Sequence, residues 1–376
     1  MALEPLFFYG TLRHIPLLET VLGRPRDEMT LSEASLPDHG VTWVAGETFP
    51  MIATAEEQIA AGLLLRDPTS DDVARLDYYE GGFAYDLRSV TVNLPDGTTV
   101  AARVYFPKPD AFAAGPAWSL EDWVHDWADI SLIAAREAME FYGTWSAEDL
   151  AVKLPMMRRR ADTMRAARLR GQSPDHHAGP EQVEVLSRQR VHSHFFALDR
   201  MTLRHTRYDG TKTQVLDREA VFAGCAVVVL PYDPRRDEVM LVEQFRANLF
   251  AVGDLSPWVI EAIAGLVDPG EEAETAALRE AEEEAGVRPE RLEKISAAYS
   301  STGSNTEYVT SFVALADFSD LGSGGGLDSE GEDIRRIILP FDTFAEGLET
   351  HRFRDAPLIS AGFWLMANRD RLRSSA

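Results

Sequence analysis

The sequence predicts an α/β protein with two domains, and three observations support that prediction. The chain has 376 residues, of which 45% are hydrophobic, and so exceeds the ~100–200 residues of one typical domain. Residues 5–107 have the composition of strands and turns. From about residue 182, apolar strand patterns alternate with helical ones, which is the order of an α/β domain.

In the N-terminal part, two alternating, β-branched runs at 89–94 and 99–105 flank Pro95-Asp96-Gly97-Thr98, which predicts a hairpin. A helix is predicted from Ser119, because apolar residues then recur at helical spacing, and Gly143 is its predicted end.

A second helix is predicted from Ser146 to Arg170, with an interruption at Pro155 and a stop at Gly171. Residues 172–180 have the composition of a linker. The second helix is rich in arginine, and we interpret this as a solvated or acid-pairing face, with a nucleic-acid or membrane patch as the alternative. The arginines are Arg158, Arg159, Arg160, Arg165, Arg168 and Arg170.

The C-terminal part begins with predicted strands at 224–230 and 239–242, joined by a polar turn. A helix is predicted over 272–285, and two more over 341–348 and 359–372. Between them, residues 318–333 form a loop rich in glycine and acidic residues.

The formal net charge is −24, which argues against a nucleic-acid partner because such binding needs a basic surface. No apolar run approaches the ~18–20 residues that span a bilayer, so we expect no membrane partner. Residues 1–5 do not resemble a signal peptide, and one cysteine, Cys225, cannot form an internal disulfide. These features favour a cytoplasmic protein. An acidic enzyme that acts on an anionic substrate needs local positive charge, for which a divalent metal is the obvious source.

Three acids in the predicted helix 272–285 indicate where that metal binds. Glu280, Glu283 and Glu284 are spaced i, i+3 and i+4, and so share one helix face. Like charges at this spacing destabilise a helix by about 0.2–0.5 kcal/mol per pair, unless a cation lies among them. Hard carboxylate oxygens suit Mg²⁺ or Mn²⁺. An acidic solvated helix face is the alternative interpretation.

The whole segment 265–287 resembles the box of the Nudix hydrolases at every defined position. Those positions are Gly265, Glu271, Arg279, Glu280, Ala281, Glu283, Glu284, Gly286 and Val287. The resemblance implies a C-terminal α/β/α sandwich in which Glu280, Glu283, Glu284 and the carbonyl of Ala264 bind metal. It also implies that Arg279 pairs with Glu271 to brace the loop.

The segments 218–222, 233–239, 242–246 and 258–265 resemble the lead-in of the bacterial ADP-ribose pyrophosphatases within that family. The resemblance extends over roughly residues 190–372. The resemblance implies that Arg246 and Glu261 contact the substrate. It also implies that Glu330 and Glu283 are catalytic, with Glu330 as the general base, and that Glu332 is a further metal ligand. The implied reaction is attack of water on one phosphorus of a nucleotide sugar, which yields AMP and ribose 5-phosphate from ADP-ribose. A homodimer is expected by analogy.

Two alternatives to that function stay open. Where the family often has proline after the box, this chain has Thr302, so another nucleoside-diphosphate sugar is a possible substrate. The other alternative is a regulator that binds a nucleotide sugar without turnover.

Residues 5–107 resemble the γ-glutamylcyclotransferase-like fold, a mixed β-barrel with helices. The resemblance is carried by Tyr9-Gly10-Thr11-Leu12 after an apolar strand and by the segment 76–81. It implies that Tyr9, Gly10, Thr11 and Leu12 cradle a γ-glutamyl group, and that Glu80 moves the proton as 5-oxoproline forms. A scaffold or regulatory domain without activity is the alternative.

Together these resemblances predict a cyclotransferase-like domain over 1–116, a helical linker over 117–180 and a Nudix domain over 181–376. Such fusions resemble bacterial proteins linked to tellurite resistance.

Overall fold

The computed structural model describes residues 3–82, 84–171, 178–319, 321–322, 325–327 and 331–374. The chain divides into two compact units, Met1–Glu219 and Ala220–Ala376. The finer division at residues 116 and 180 stays a prediction. None of the described helices combines the length and apolarity that crossing a lipid bilayer requires.

The first unit contains a closed five-stranded barrel, which confirms the predicted mixed barrel. The neighbours follow the order β3-β1-β5-β4-β2, and pairing of β2 with β3 closes the ring, while β6 extends β2 at one side. β1 runs parallel to β5, and the other barrel pairs are antiparallel. The strands are β1 Leu6–Phe8, β2 Leu31–Val44, β3 Pro50–Leu65, β4 Tyr85–Asn93, β5 Thr99–Pro107 and β6 Ala114–Ala117.

The predicted hairpin is confirmed, because β4 and β5 pair with Asn93 opposite Thr99. Gly97 takes φ +84°, a conformation that costs glycine little, and the Asp96 carboxylate accepts the Thr98 backbone N–H at 2.9 Å. The tight turn therefore comes from local residue chemistry.

The first unit also contains four helices, and both helices predicted between 119 and 170 are confirmed. Ser119 and Ser146 cap the third and fourth helices by accepting the backbone N–H of Asp122 and Asp149. The third helix ends before Gly143, and the fourth continues through Pro155 without the predicted interruption. The helices are α1 Ile15–Leu22, α2 Ser70–Glu80, α3 Leu120–Met139 and α4 Ala147–Leu169, with 3-10 turns at Thr11–Arg13, Arg26–Glu28 and Pro180–Gln182.

A three-stranded sheet follows, formed by β7 Val183–Ser193, β8 Ala197–His205 and β9 Leu216–Phe222. Arg160 of α4 connects this sheet to α3: its Nη2 lies 2.5 Å from Glu137 Oε1 and 2.8 Å from Ser193 Oγ. Its side chain is only 1% exposed. The acid-pairing interpretation of the arginine-rich helix therefore holds at Arg160, which is buried rather than solvated.

The second unit is a sheet between two helical layers, which confirms the α/β/α sandwich. The main path is β12-β11-β10-β15-β14, with β13 also on β10 and β16 also on β11. Its strands are β10 Ala226–Asp233, β11 Glu238–Phe245, β12 Trp258–Glu261, β13 Ile263–Leu266, β14 Arg291–Tyr299, β15 Tyr308–Leu315 and β16 Arg335–Pro340. Its helices are α5 Ala247–Ala251, α6 Ala273–Ala285, α7 Phe341–Glu349 and α8 Ala356–Ser374, which confirms the three predicted there.

Alternating side chains of β10 supply the two cores. Val227 and Val229 belong to the cluster that contains the alanines of α6, while Val228 and Leu230 pack with residues of α7 and α8. The near-continuous apolar run arises because the central strand is covered on both faces.

Candidate active sites

Helix α6 carries the three acids on one side and ends where the sequence predicts. Gly286 caps it in the left-handed conformation, with φ +62°. Glu280 is 9% exposed and Glu284 is 2% exposed. Two carboxylates are thus held close together inside the protein, where an unpaired charge is costly.

Arg279 is the cation within this cluster. It binds Glu271 through two bonds, from Nε to Oε1 at 3.1 Å and from Nη2 to Oε2 at 3.0 Å. Its Nη1 lies 2.6 Å from Glu280 Oε1 and 3.1 Å from Glu283 Oε2, and Nη2 also donates to the Leu266 carbonyl. Arg279 therefore connects the loop before α6 to the acids on the helix.

Gly265 makes room for Glu280. A Cβ built on Gly265 would fall within 3.0 Å of Cδ, Oε1 and Oε2 of Glu280. The φ of Gly265 is not in the left-handed region, so space and not backbone conformation requires glycine here. The carboxylate thus lies directly on the backbone of β13.

The Glu284 carboxyl is strongly perturbed by its surroundings. Burial, reinforced by repulsion from Glu280 and Glu332, raises its pKa to about 8. A hydrogen bond from the backbone of Ala264 acts in the opposite direction. Its Oε2 is buried and has no hydrogen-bond partner among the residues described.

These features fit a divalent cation. A buried carboxylate oxygen without a partner among the described residues, beside a second buried acid, is a hard-ligand site that suits a cation. In an extended strand the N–H and C=O of one residue point to the same side, so the carbonyl of Ala264 faces the side on which its amide meets Glu284. Within the described part of the chain no preformed group of three metal-binding side chains is found, and Arg279 lies between Glu280 and Glu283.

The loop after β15 meets the end of α6. The backbone amide of Gly325 donates to the Glu284 carbonyl at 2.9 Å, and that of Gly326 to the Glu283 carbonyl at 3.3 Å. The Glu332 carboxylate accepts the Leu327 amide at 3.0 Å, and its charge reaches Glu284. Glu330, the predicted base, lies outside the described residues.

Arg246 and Glu261, the predicted substrate contacts, form an ion pair at the ends of β11 and β12. Arg246 Nη2 lies 2.6 Å from Glu261 Oε2, and Nε lies 2.9 Å from the same oxygen. Asp355, which precedes α8, interacts electrostatically with this pair and was not predicted from the sequence. Burial, together with repulsion from Glu261, raises the Asp355 pKa to about 6.

A cavity of about 340 Å³ lies in the first unit, and the structure gathers the predicted N-terminal residues around it. Tyr9, Gly10, Thr11 and Leu12 line one part, and Glu80 at the end of α2 lines another. Gly10 is close to Pro50, whose Cγ would lie 2.9 Å from an added Cβ. The absence of a side chain at Gly10 therefore lets its backbone lie close to Pro50, which also lines the cavity.

Enclosure changes the acidity of the groups in this cavity. Burial raises the pKa of the Glu80 carboxyl to about 7. Burial also raises the pKa of Tyr9 and of Tyr85, whose hydroxyls are hydrogen-bonded to one another. A carboxyl that titrates near neutrality can accept and return a proton in one reaction cycle.

Comparison with known proteins accounts for both units. The NUDIX domain model matches residues 224–361. An ADP-ribose pyrophosphatase of Escherichia coli K12 is 32% identical over 196 residues, which cover 52% of this chain and 93% of that protein. The chain belongs to the Nudix family.

Other relatives of the Nudix domain differ in the substrate they are named for. An ADP-ribose pyrophosphatase of Haemophilus influenzae is 32% identical over 201 residues, 53% of this chain and 93% of that protein. A GDP-mannose pyrophosphatase of Escherichia coli O9:H4 is also 32% identical, over 184 residues, 48% of this chain and 92% of that protein.

The N-terminal unit matches a second family. The model described as gamma-glutamyl cyclotransferase, AIG2-like, covers residues 6–125. The chain is therefore an AIG2-like domain followed by a Nudix domain. The matched segment ends within α3, so α4 lies beyond it.

Proposed function

We propose that the Nudix domain is a Mg²⁺-dependent pyrophosphohydrolase that cleaves ADP-ribose to AMP and ribose 5-phosphate. The observation that carries the proposal is the buried Glu284 carboxylate, whose Oε2 has no partner in the described structure, beside Glu280 on the Gly265 backbone. The relatives from Escherichia coli and Haemophilus influenzae support ADP-ribose as the substrate.

The roles of the residues follow from their positions. Glu280, Glu283, Glu284, Glu332 and the Ala264 carbonyl are the proposed ligands of Mg²⁺, with Mn²⁺ as a substitute. A cation held by these residues would supply positive charge for the pyrophosphate oxygens and the leaving phosphate and would lower the pKa of a water molecule. Arg279 and Glu271 hold the acids in register, because Arg279 contacts both the loop and the helix.

The remaining roles concern the substrate and the proton. Arg246, held by Glu261 and 40% exposed, can turn its guanidinium to a substrate phosphate. Glu330 is the proposed base that takes the proton from the attacking water. A bridging P–O bond then breaks, and each product carries one phosphate.

AMP release from ADP-ribose, run beside GMP release from GDP-mannose, tests this proposal. Glu284→Gln should lose at least about a hundredfold in kcat with Mg²⁺. Glu282→Gln is the matched control, because Glu282 lies on the same helix but is exposed and pairs with Arg288. Turnover retained in Glu284→Gln would contradict the metal-site assignment.

The panel also separates the alternatives. A larger kcat/KM for GDP-mannose would replace ADP-ribose as the substrate. Binding of a nucleotide sugar by the wild-type protein without product from either compound would favour the regulator.

A second activity is favoured by the cavity of the AIG2-like domain. We propose that it cyclises γ-glutamyl amides. Glu80 takes a proton from the α-ammonium, and the freed amine attacks the γ-carbonyl carbon. As the amide C–N bond breaks, Glu80 returns that proton to the departing nitrogen. The attacking nitrogen loses its second proton to water, which leaves 5-oxoproline and a free amine. The pKa of Glu80 near 7 suits both transfers.

A further inference from the structure

Helix α4 contributes a wall of the N-terminal cavity, although it lies beyond the segment that matches the AIG2-like family. Leu154, Pro155 and Arg158 of α4 line the same cavity as Glu80. The family match ends at residue 125, so its residues account for only part of the enclosure. The charge that α4 brings to the cavity therefore comes from outside the matched segment.

Arg158 has only neutral hydrogen-bond partners. Nη2 donates to Thr48 Oγ1 at 2.6 Å, and Nη1 donates to Ser131 Oγ at 3.3 Å. Arg158 forms no ion pair with a described carboxylate, and its two hydrogen bonds go to hydroxyl groups. A guanidinium has five N–H groups, so three remain for a ligand.

The enclosure of this cation is unfavourable without an anion. Burial lowers the pKa of Arg158, and the charges of Tyr79, Glu47 and Asp162 oppose that shift only in part. Arginine stays protonated in proteins, so Arg158 keeps a positive charge that its surroundings compensate only in part, and this destabilises the folded protein. A carboxylate that meets the guanidinium fork would remove that cost.

Arg158 does not neutralise Glu80, although both line one cavity. The shift in the Glu80 pKa has burial as its only cause, with no contribution from Arg158. Both residues act on the hydroxyl of Tyr79: the charge of Glu80 raises its pKa, and the charge of Arg158 lowers it. Arg158 and Glu80 are therefore not paired with each other, and Glu47 is a second acid on the cavity lining.

We infer that Arg158 is the specificity-determining residue of this cavity, and that it binds the carboxylate of a zwitterionic ligand whose ammonium faces Glu80. The γ-glutamyl group has this charge pattern, and its α-carboxylate is retained in 5-oxoproline. The volume of about 340 Å³ suits a small ligand. The identity of the ligand rests on the second proposed activity. The anion site at Arg158 does not depend on that activity.

Calorimetric titration of the full chain tests the inference with two probes of one shape. 5-Oxoproline carries a carboxylate, and 5-oxoprolinamide carries a neutral amide instead. Below the pKa of Glu80, the wild-type protein should bind 5-oxoproline at least about tenfold more tightly, as charge-assisted hydrogen bonds provide. Arg158→Gln should abolish that preference, and Arg158→Lys should keep part of it.

Arg168→Gln is the matched control, because it removes the same charge from an exposed position of α4. It should leave the preference unchanged. An equal preference for 5-oxoproline over 5-oxoprolinamide in Arg158→Gln and wild type would overturn the inference. Succinate serves as a second carboxylate probe, and wild-type protein that binds neither 5-oxoproline nor succinate would also overturn it.

Turnover distinguishes failure of the anion site from failure of the cyclotransferase proposal. Release of 5-oxoproline from γ-glutamyl-alanine with the same KM in wild type and Arg158→Gln would retain the activity and reject the anion site. Binding of succinate that depends on Arg158, without any 5-oxoproline formed, would retain the anion site and reject the activity.

Discussion

The carboxylate of Glu280 lies against the backbone of Gly265, in the volume that a Cβ would occupy. The two residues are 15 positions apart in a motif whose glycine has an ordinary backbone conformation. The motif needs glycine at its first position because any side chain there would occupy the space of the Glu280 carboxylate, which packs on the backbone of β13.

Gly265→Ala should destabilise the Nudix domain by about 1–3 kcal/mol, the usual cost of overpacking. The three atoms nearest to the added methyl all belong to the Glu280 carboxylate, so the same change in a Glu280→Ala background should cost less than about 0.5 kcal/mol. Unfolding by urea in all four proteins measures the coupling. Equal costs in both backgrounds would show that the strain has another origin.

Arg279→Gln should destabilise the metal-free protein by about 2–4 kcal/mol, because it leaves Glu271 and Glu280 buried without their cation. Arg288→Gln is the control: its pair with Glu282 is exposed, and such pairs contribute about 1 kcal/mol or less. Thermal unfolding with and without Mg²⁺ checks both. Mg²⁺ should restore part of the loss in Arg279→Gln, and similar losses in both variants would contradict the assignment.

Glu80 should make the AIG2-like domain less stable as pH rises. Its pKa is raised to about 7 in the folded state, so the folded protein keeps the proton after the unfolded chain has released it. Relative to Glu80→Gln, wild type should lose stability between about pH 4.5 and 7, by about 3 kcal/mol in total. Below that range the difference is constant, and above it the loss is complete.

Hydrogen exchange of the α2 and barrel amides measures this profile for the first unit alone. Glu56→Gln, at an exposed position of β3, should follow the wild-type profile. A wild-type profile parallel to that of Glu80→Gln would show that the carboxyl titrates at its ordinary pH.

The box could be predicted in detail because its residues are close in the chain. Glu280 and Glu284 share a helix face by spacing alone, and Gly286 caps that helix as its position predicts. The same holds for the hairpin around Gly97 and for the serine caps of α3 and α4. Each depends on interactions within about one turn of chain.

Features that depend on packing between distant segments could not be predicted. The arginine-rich helix pairs with an acid at Arg160, as predicted, but the sequence does not reveal that this pair is buried or that Arg158 lines a cavity. Asp355 meets the charge of Glu261 through the position of α8, which no local pattern encodes. Pro155 does not interrupt α4, because the packing of Leu150, Met157 and Ala161 holds the helix on both sides of it.

The contribution of α4 to the N-terminal cavity sets a lower limit on any excised fragment. A polypeptide cut at residue 125, where the family match stops, would lack Leu154, Pro155 and Arg158 and would expose the Glu80 side of the cavity to bulk water. Its carboxyl would then titrate as an ordinary surface acid, and its ligand preferences would differ from those of the parent protein. Assays of the isolated domain therefore require a chain that extends at least through Leu169.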